Sequence, residues 1–261
     1  MLAQSQADAD RLGAIGAPVQ AVLGNLKFDA APDPVQCELG RSRRSAWSRP
    51  VLMLASSRER EEQALLEALS HWPRPWPFEV LIVPRHPQRF DEVAGAIAAS
   101  GLRCSRRSDW ARDLSLLAAS EEACVHLGDS MGEMALYYSL ACVALLGGSF
   151  EPLGGQNLIE AAACGCPVVM GPHTFNFAEA AEQALAEGAA WRAADMRQAL
   201  SLASGLLGAQ QSVHARAALE FASRHQGAAR ATARQLLDLY VRSGPSQDLV
   251  DGLKIAHVQV S

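Results

Sequence analysis

What this chain lacks narrows its function before any motif is read. Its six cysteines (Cys37, Cys104, Cys124, Cys142, Cys164, Cys166) form no C-x-x-C pair and have no histidine at zinc-ligand spacing, so the common structural zinc sites are excluded. Most lie in apolar runs, where a buried free thiol is the expected state; Cys164-Gly165-Cys166 reads as core rather than as a redox pair. No apolar run approaches the roughly 18 residues of a membrane span. Residues 1–11 carry Asp8 and Asp10 where a signal peptide has basic residues ahead of a greasy segment, and the chain as it stands is expected in the cytoplasm. A basic stripe is missing too. With a net charge of −5 and scattered arginines there is no electrostatic footprint for nucleic acid. No G-x-G-x-x-G follows the first strong strand, which removes the usual signature of a dinucleotide-dependent oxidoreductase.

What is present is enough apolar material for a large core. The 261 residues are 49% hydrophobic, which suits one large or two small domains. The chain is organised around residues 145–177, LLGGSFEPLGGQNLIEAAACGCPVVMGPHTFNF. An apolar run (142–146) breaks into a glycine-rich loop (Gly147, Gly148, Ser149, Gly154, Gly155), restarts as a helix at Asn157, stops at Gly165 and enters a second strand at 168–170. Such a compact βαβ unit puts the backbone N–H groups of residues 156–159 at the C-terminal edge of a parallel sheet, where a helix dipole favours an anion.

The remaining chain repeats this pattern. Residues 2–12 predict a short helix and 19–23 a strand, the last αβ piece of something larger. Residues 29–50, rich in proline and arginine and without periodicity, read as a linker and domain boundary. From Val51 the strand-like runs 51–54, 80–83, 123–127, 142–146 and 167–170 alternate with helices over 58–69, 88–99 and 131–140, with a weak strand at 102–105. Alternation of this kind predicts an α/β fold with a Rossmann-like, doubly wound parallel sheet. Residues 178–242 predict a helical C-terminal region, and 243–261 carry no pattern. Each strand leads into a loop of ligand-friendly composition (ASSRE, PRHP, GDSMGE, GGSFEPLGG, GPHTFNF), and in such sheets these loops share one crevice.

Several side chains stand out in these loops. Ser130-x-x-Glu133 and Asn157-x-x-Glu160 fit the capping box, while Glu160 could also accept from the vicinal hydroxyls of a ribose. Arg85, between Pro84 and Pro87 with His86, is aimed from a stiff loop and offers a fork for phosphate or carboxylate. His86 and His173 are weaker candidates. Asp8-Ala-Asp10 spells a metal-binding D-x-D but lies on a helix, not at a strand end.

Five blocks in order, GNLKF (24–28), PRHPQRF (84–90), LGDSMGEM (127–134), GGSFEPLGGQNLIE (147–160) and MGPHTFNF (170–177), resemble 3-deoxy-D-manno-octulosonic acid (Kdo) transferases over residues 2–28 and about 51–240. The resemblance implies the C-terminal domain of a GT-B glycosyltransferase. It implies an enzyme that moves Kdo from CMP-Kdo to a lipid A precursor in lipopolysaccharide biosynthesis, at the cytoplasmic face of the bacterial inner membrane, without metal or other cofactor. On this chain the donor would meet Arg85, the turn Ser130, Met131, Gly132 and Glu133, and Gly148, Ser149, Asn157 and Glu160.

Two departures from the pattern bear on this. Residues 55–62 (ASSREREE) resemble a Ser-Thr-His-Glu-Gly-Glu block but carry Arg58 at the histidine and Arg60 at the glycine. The resemblance also implies an N-terminal acceptor domain with a membrane anchor and a glutamate general base, of which residues 1–28 would be the last remnant, 29–50 the linker and 51–242 the donor domain. No catalytic residue is then expected within the chain, and this half alone is expected to be inactive. The rival reading is a nucleotide-binding module without catalysis.

Overall fold

The computed structural model describes residues 1–29, 31–110 and 124–243, and these group into two compact units. One holds the first thirty residues together with those from His225 onward; the other holds 31–224. The predictions for 111–123 and for the tail beyond 243 lie outside the described residues.

The first unit opens with a strand where a helix was expected: β1 (Leu2–Ala3) pairs in parallel with β2 (Ala21–Val22), and α1 (Gln6–Ala14) crosses between them. Ser5 caps α1 by accepting from the Asp8 N–H at 3.1 Å. Asp8 is paired with Arg11 inside the helix, so the D-x-D spelling is spent on local helix contacts.

The second unit begins with a correction. The expected linker contains a 13-residue helix, α2 (Pro34–Ala46). Pro34 takes the first helical position, where its missing N–H removes nothing, and Asp33 caps the helix by accepting from Val35 and Gln36 N–H at 2.8 and 3.2 Å. In the sequence a proline at a helix start, such as Pro34, and a proline in a linker look alike.

After α2 the elements alternate: β3 (Val51–Ser57), α3 (Glu61–Ser70), β4 (Glu79–Pro84), α4 (Phe90–Ala99), β5 (Arg103–Arg106), β6 (Cys124–Leu127), α5 (Met134–Leu140), β7 (Val143–Leu146), α6 (Leu158–Ala163), β8 (Val168–Met170), α7 (Ala178–Ala186), β9 (Ala190–Arg192), α8 (Met196–Leu206) and α9 (Gln211–Arg224). The seven strands β3 to β9 form one parallel sheet in the order β5-β6-β4-β3-β7-β8-β9. Residues 51–57, 79–84 and 143–146 are buried throughout, as a parallel sheet covered on both faces requires. The chain builds outward from β3 through β4 on one side and resumes at β7 on the other, so the strand order reverses between β3 and β7. Ligands of open parallel sheets lodge outside the strand ends at such a reversal.

Helix α2 packs on α5, and Gly40 permits it: a Cβ there would come within 2.4 Å of the Leu136 carbonyl oxygen. Strand β9 falls inside the stretch expected to be helical; hydrogen bonding to β8 overrides the helix preference of a three-residue edge segment. The chain then returns to the first unit as α10 (Ala228–Ser243). There the Asp29 carboxylate accepts from the N–H groups of Gly227 and Ala229, each at 2.5 Å. Among the described residues no helix is long and apolar enough to cross a membrane.

Candidate functional site

The crevice at the β3–β7 reversal is floored by close backbone approaches. Gly147 lies where a Cβ would meet the Ser56 carbonyl oxygen at 2.4 Å, and Gly171, after β8, where one would meet the Ser149 carbonyl oxygen at 2.3 Å. Ser149 is fully buried. Its hydroxyl donates to the Leu146 carbonyl and accepts from the Gly171 N–H at 2.8 Å, tying the end of β7 to the loop after β8. Gly148 turns with φ +70°, and its N–H points at the Glu61 carboxylate at 2.8 Å.

Glu61 is the residue that sequence reasoning missed. It is 1% exposed, and its carboxylate accepts from three backbone N–H groups: Arg58 at 2.9 Å, Gly148 at 2.8 Å and Phe150 at 3.1 Å. The Gly148 and Phe150 N–H groups of the glycine-rich loop are thus taken by an internal anion, and the anion site expected from the sequence lies further along, at the N–H groups of residues 156–159. Burial pushes the Glu61 carboxyl above its ordinary range; the three N–H donors act against that rise without cancelling it. Its neighbour Glu62, also buried, accepts from Ser57 Oγ at 2.7 Å and pairs with Arg89 at 2.7 and 3.2 Å, so the loops after β3 and β4 are joined as well. A signal was there: two adjacent glutamates opening a helix right after a buried strand.

The turn after β6 differs from its expectation. Helix α5 starts at Met134 with Glu133 in the cap position and no side-chain cap bond, so Ser130 and Glu133 do not form a capping box. Ser130 Oγ instead meets Tyr137 Oη at 2.5 Å and the Glu133 carboxylate, while Glu133 pairs with Arg107 at 2.8 Å. Three charged or polar neighbours outcompete the backbone for the same oxygens. Asp129 is fixed by Ser108 N–H at 2.8 Å, Ser108 Oγ at 2.7 Å and Arg106 Nε at 2.7 Å. Burial alone would raise its carboxyl, but these donors hold it below the ordinary carboxylate range. Gly132 turns with φ +77° and its carbonyl accepts from Gln36 Nε2 at 2.8 Å, so α2 braces this turn.

At α6 the expectation holds in part. Asn157 is the cap, accepting from the Ile159 N–H at 3.1 Å. Glu160 does not reach back to the cap; it is exposed and has no hydrogen-bond or ion-pair partner among the described residues. Arg85 is exposed too, its N–H donating to the Ser57 carbonyl at 3.0 Å and its guanidinium without a protein partner among the described residues. The buried Tyr138 hydroxyl feels both charges: burial raises it well above its ordinary value, Glu160 raises it further and Arg85 lowers it. Met131 stands 59% exposed on the turn after β6. Cys164 lies 4.0 Å from Cys37, sulfur to sulfur, and burial pushes its thiol up to about 12; all six cysteines are free. Among the described residues no group of three or more His, Cys, Asp or Glu side chains is placed to share a metal ion.

Comparison with known proteins gives this edge a family. No protein-family model matches the chain. The 3-deoxy-D-manno-octulosonic acid transferase of Bordetella pertussis is 45% identical over 251 residues, 91% of this chain and 56% of that protein. The crystal structure of the C-terminal CMP-Kdo binding domain of WaaA from Acinetobacter baumannii superposes with a TM-score of 0.63 at 31% identity, covering 72% of this chain and 98% of that domain. The chain belongs to the Kdo transferase family. A glycosyltransferase from Rickettsia africae, 16% identical, shares the fold with a TM-score of 0.53 over 92% of this chain and 62% of that one. The expected architecture, a Rossmann-like parallel sheet of the GT-B kind with a helical C-terminal region, is thus what the structure has. The chain spans about half the length of its Bordetella relative.

Within the family setting, the two arginines that depart from the resembled block over residues 55–62 acquire structural meaning. Arg60, at the glycine of the resembled block, has φ +73°, the left-handed conformation in which glycine is at no disadvantage. Its guanidinium pairs with Glu151 across the mouth of the crevice. Arg58, at the histidine, lies over the glycine-rich loop: a Cβ on Gly148 would come within 3.8 Å of its Cγ.

Proposed function

We propose that residues 31–224 are the donor-binding half of a Kdo transferase and that CMP-Kdo lodges at the strand ends around the β3–β7 reversal. The observation that carries this reading is the match, over nearly the whole of its length, to a solved CMP-Kdo binding domain. Arg85 and Glu160, both without a protein partner among the described residues, are the groups left to meet a ligand. Arg85 takes the phosphate of the leaving CMP, and Glu160 accepts from the ribose hydroxyls. Met131 and Gly132 present the turn after β6 to the nucleotide, while Ser130 and Glu133 fix that turn through Tyr137 and Arg107. Gly148, Ser149 and Asn157 shape the loop under the sugar. The chemistry of this half is stabilisation of a departing phosphate by a preorganised cation and oriented backbone donors.

The acceptor, a lipid A precursor at the cytoplasmic membrane face, and the general base belong in this proposal to the acceptor half of the whole enzyme. Residues 1–28 are the closing αβ piece of that half. Calorimetry with CMP tests the donor site. Wild type should bind, and Arg85→Ala and Glu160→Ala should each weaken binding by about tenfold or more, as loss of a charge-assisted bond of roughly 1.5–3 kcal/mol requires. Absence of CMP binding, or equal affinity in all three proteins, would reject it.

A further inference from the structure

The loop after β3 carries two cations, Arg58 and Arg60, and the fold uses them differently. Arg60 is spent on Glu151. Arg58 is positioned but not spent. Its N–H is held by Glu61 Oε2 at 2.9 Å, the oxygen that also holds the Gly148 N–H at 2.8 Å, so one buried carboxylate locks Arg58 and the glycine-rich loop into register. Its stem crosses Gly148 on one side while Gln156 Nε2 crowds the same glycine from another, 3.2 Å from where a Cβ would be. Its guanidinium has a single protein partner among the described residues, the Glu59 carboxylate at 3.3 Å, and Glu59 is 57% exposed. A long, solvent-facing bond between sequence neighbours is worth little and exchanges readily for a better anion.

Arg85 is the second underused cation, and it is tethered nearby: its N–H donates to Ser57, the residue immediately before Arg58. Adjacent strands β3 and β4 therefore deliver two guanidinium-bearing residues to one strand edge, and among the described residues the only carboxylate paired with either guanidinium is Glu59, on Arg58. That arrangement suits a ligand with two separate anionic groups. We infer that Arg58 is the specificity-determining residue for the carboxylate of the sugar acid, with Arg85 on the phosphate; this rests on the donor-site reading above. A guanidinium fork engages a carboxylate through two parallel bonds and stays charged at every physiological pH. The arrangement selects nucleotide-activated sugar acids over nucleotide-activated neutral sugars.

Calorimetry with three probes tests this: CMP, a hydrolysis-resistant phosphonate analogue of CMP-Kdo, and the carboxamide of that analogue. Arg58→Ala should bind CMP within about twofold of wild type and lose roughly tenfold to a hundredfold on the carboxylate analogue alone. Arg58→Lys should recover part of that loss, because it restores the charge without the fork. Wild type should prefer the carboxylate to the carboxamide by about tenfold or more, a measurement that needs no variant and stands even if Arg58→Ala fails to fold. Equal losses on CMP and on the analogue would put Arg58 on the phosphate and overturn the inference, as would no loss on either or no carboxylate preference in wild type. A wild type that binds none of the probes would reject the donor site itself, whereas one that binds CMP but ignores the carboxylate rejects only Arg58.

Discussion

Replacing Glu61 by glutamine keeps the size of the side chain while removing its charge and one acceptor oxygen. An amide oxygen placed where Oε2 stands keeps the bonds from Gly148 and Arg58, now as neutral ones, and the NH2 group then faces the Phe150 N–H, donor against donor. A net bond to a charged group contributes about 1.5–3 kcal/mol and a neutral one about 0.5–1.5, so one lost and two weakened bonds cost roughly 3.5–6 kcal/mol. Relief of the buried charge offsets part of this, since burial is the largest influence on the Glu61 carboxyl and holds it above its ordinary 4.5. The net expectation is a destabilisation of about 1–3 kcal/mol, or a fall in Tm of roughly 3–10 °C for a domain of this size. The sign with pH follows from the raised carboxyl. A group whose folded pKa exceeds its unfolded one contributes stability while protonated and loses it as pH climbs from the unfolded value through the folded one. Wild type carries that falling slope above 4.5 and the glutamine variant does not, so the gap in Tm should be wider in mildly acidic buffer than at neutral pH. Thermal denaturation at both pH values, with a CMP titration at neutral pH, is the assay; affinity should fall because the loops after β3 and β7 lose their common anchor. Equal Tm for the two proteins at both pH values, with equal affinity, would refute the reasoning.

Glu160→Gln should leave Tm nearly unchanged, because the exposed carboxylate has no protein partner to lose, while CMP affinity drops about tenfold; a collapse in Tm with normal binding would make Glu160 structural. Asp129→Asn tests the opposite pH sign: its depressed carboxyl contributes stability above its unfolded 3.8 and loses it as pH falls through the lower folded value, so in acid melts the variant should lack that part of the decline seen in wild type. Arg60→Gly trades the left-handed arginine for the residue that tolerates φ +73°. A gain of up to about 1 kcal/mol in backbone conformation is offset by loss of an exposed ion pair worth roughly 0–1 kcal/mol, and urea titration should show a change under about 1 kcal/mol in either direction.

The order of strands and loops was legible from the chain because a strand buried on both faces must be apolar throughout. VLML, VLIV and CVALL can be little else in a chain this polar between them. The glycine-rich loop was legible for a related reason: Gly147 and Gly171 stand where only a hydrogen fits against backbone. Arg85 was legible as a candidate because it follows a buried strand, and Glu160 because it lies in the first turn of the helix after the glycine-rich loop; the structure leaves both side chains without protein partners among the described residues. What sequence did not reveal is where charge is buried. Glu61 reads as one more surface glutamate at a helix start, since its partners at Gly148 and Phe150 lie 87 and 89 residues away. Ser130 and Glu133 spell a cap, yet Tyr137 and Arg107, brought in by tertiary packing, claim their oxygens. Helix α2 and strand β9 were decided in the same way, one by packing on α5 and the other by an edge offered by β8. Local pattern fixes which segments must leave water. Only the assembled fold decides which polar atoms go with them, because a buried charge is tolerable only where its partners already stand.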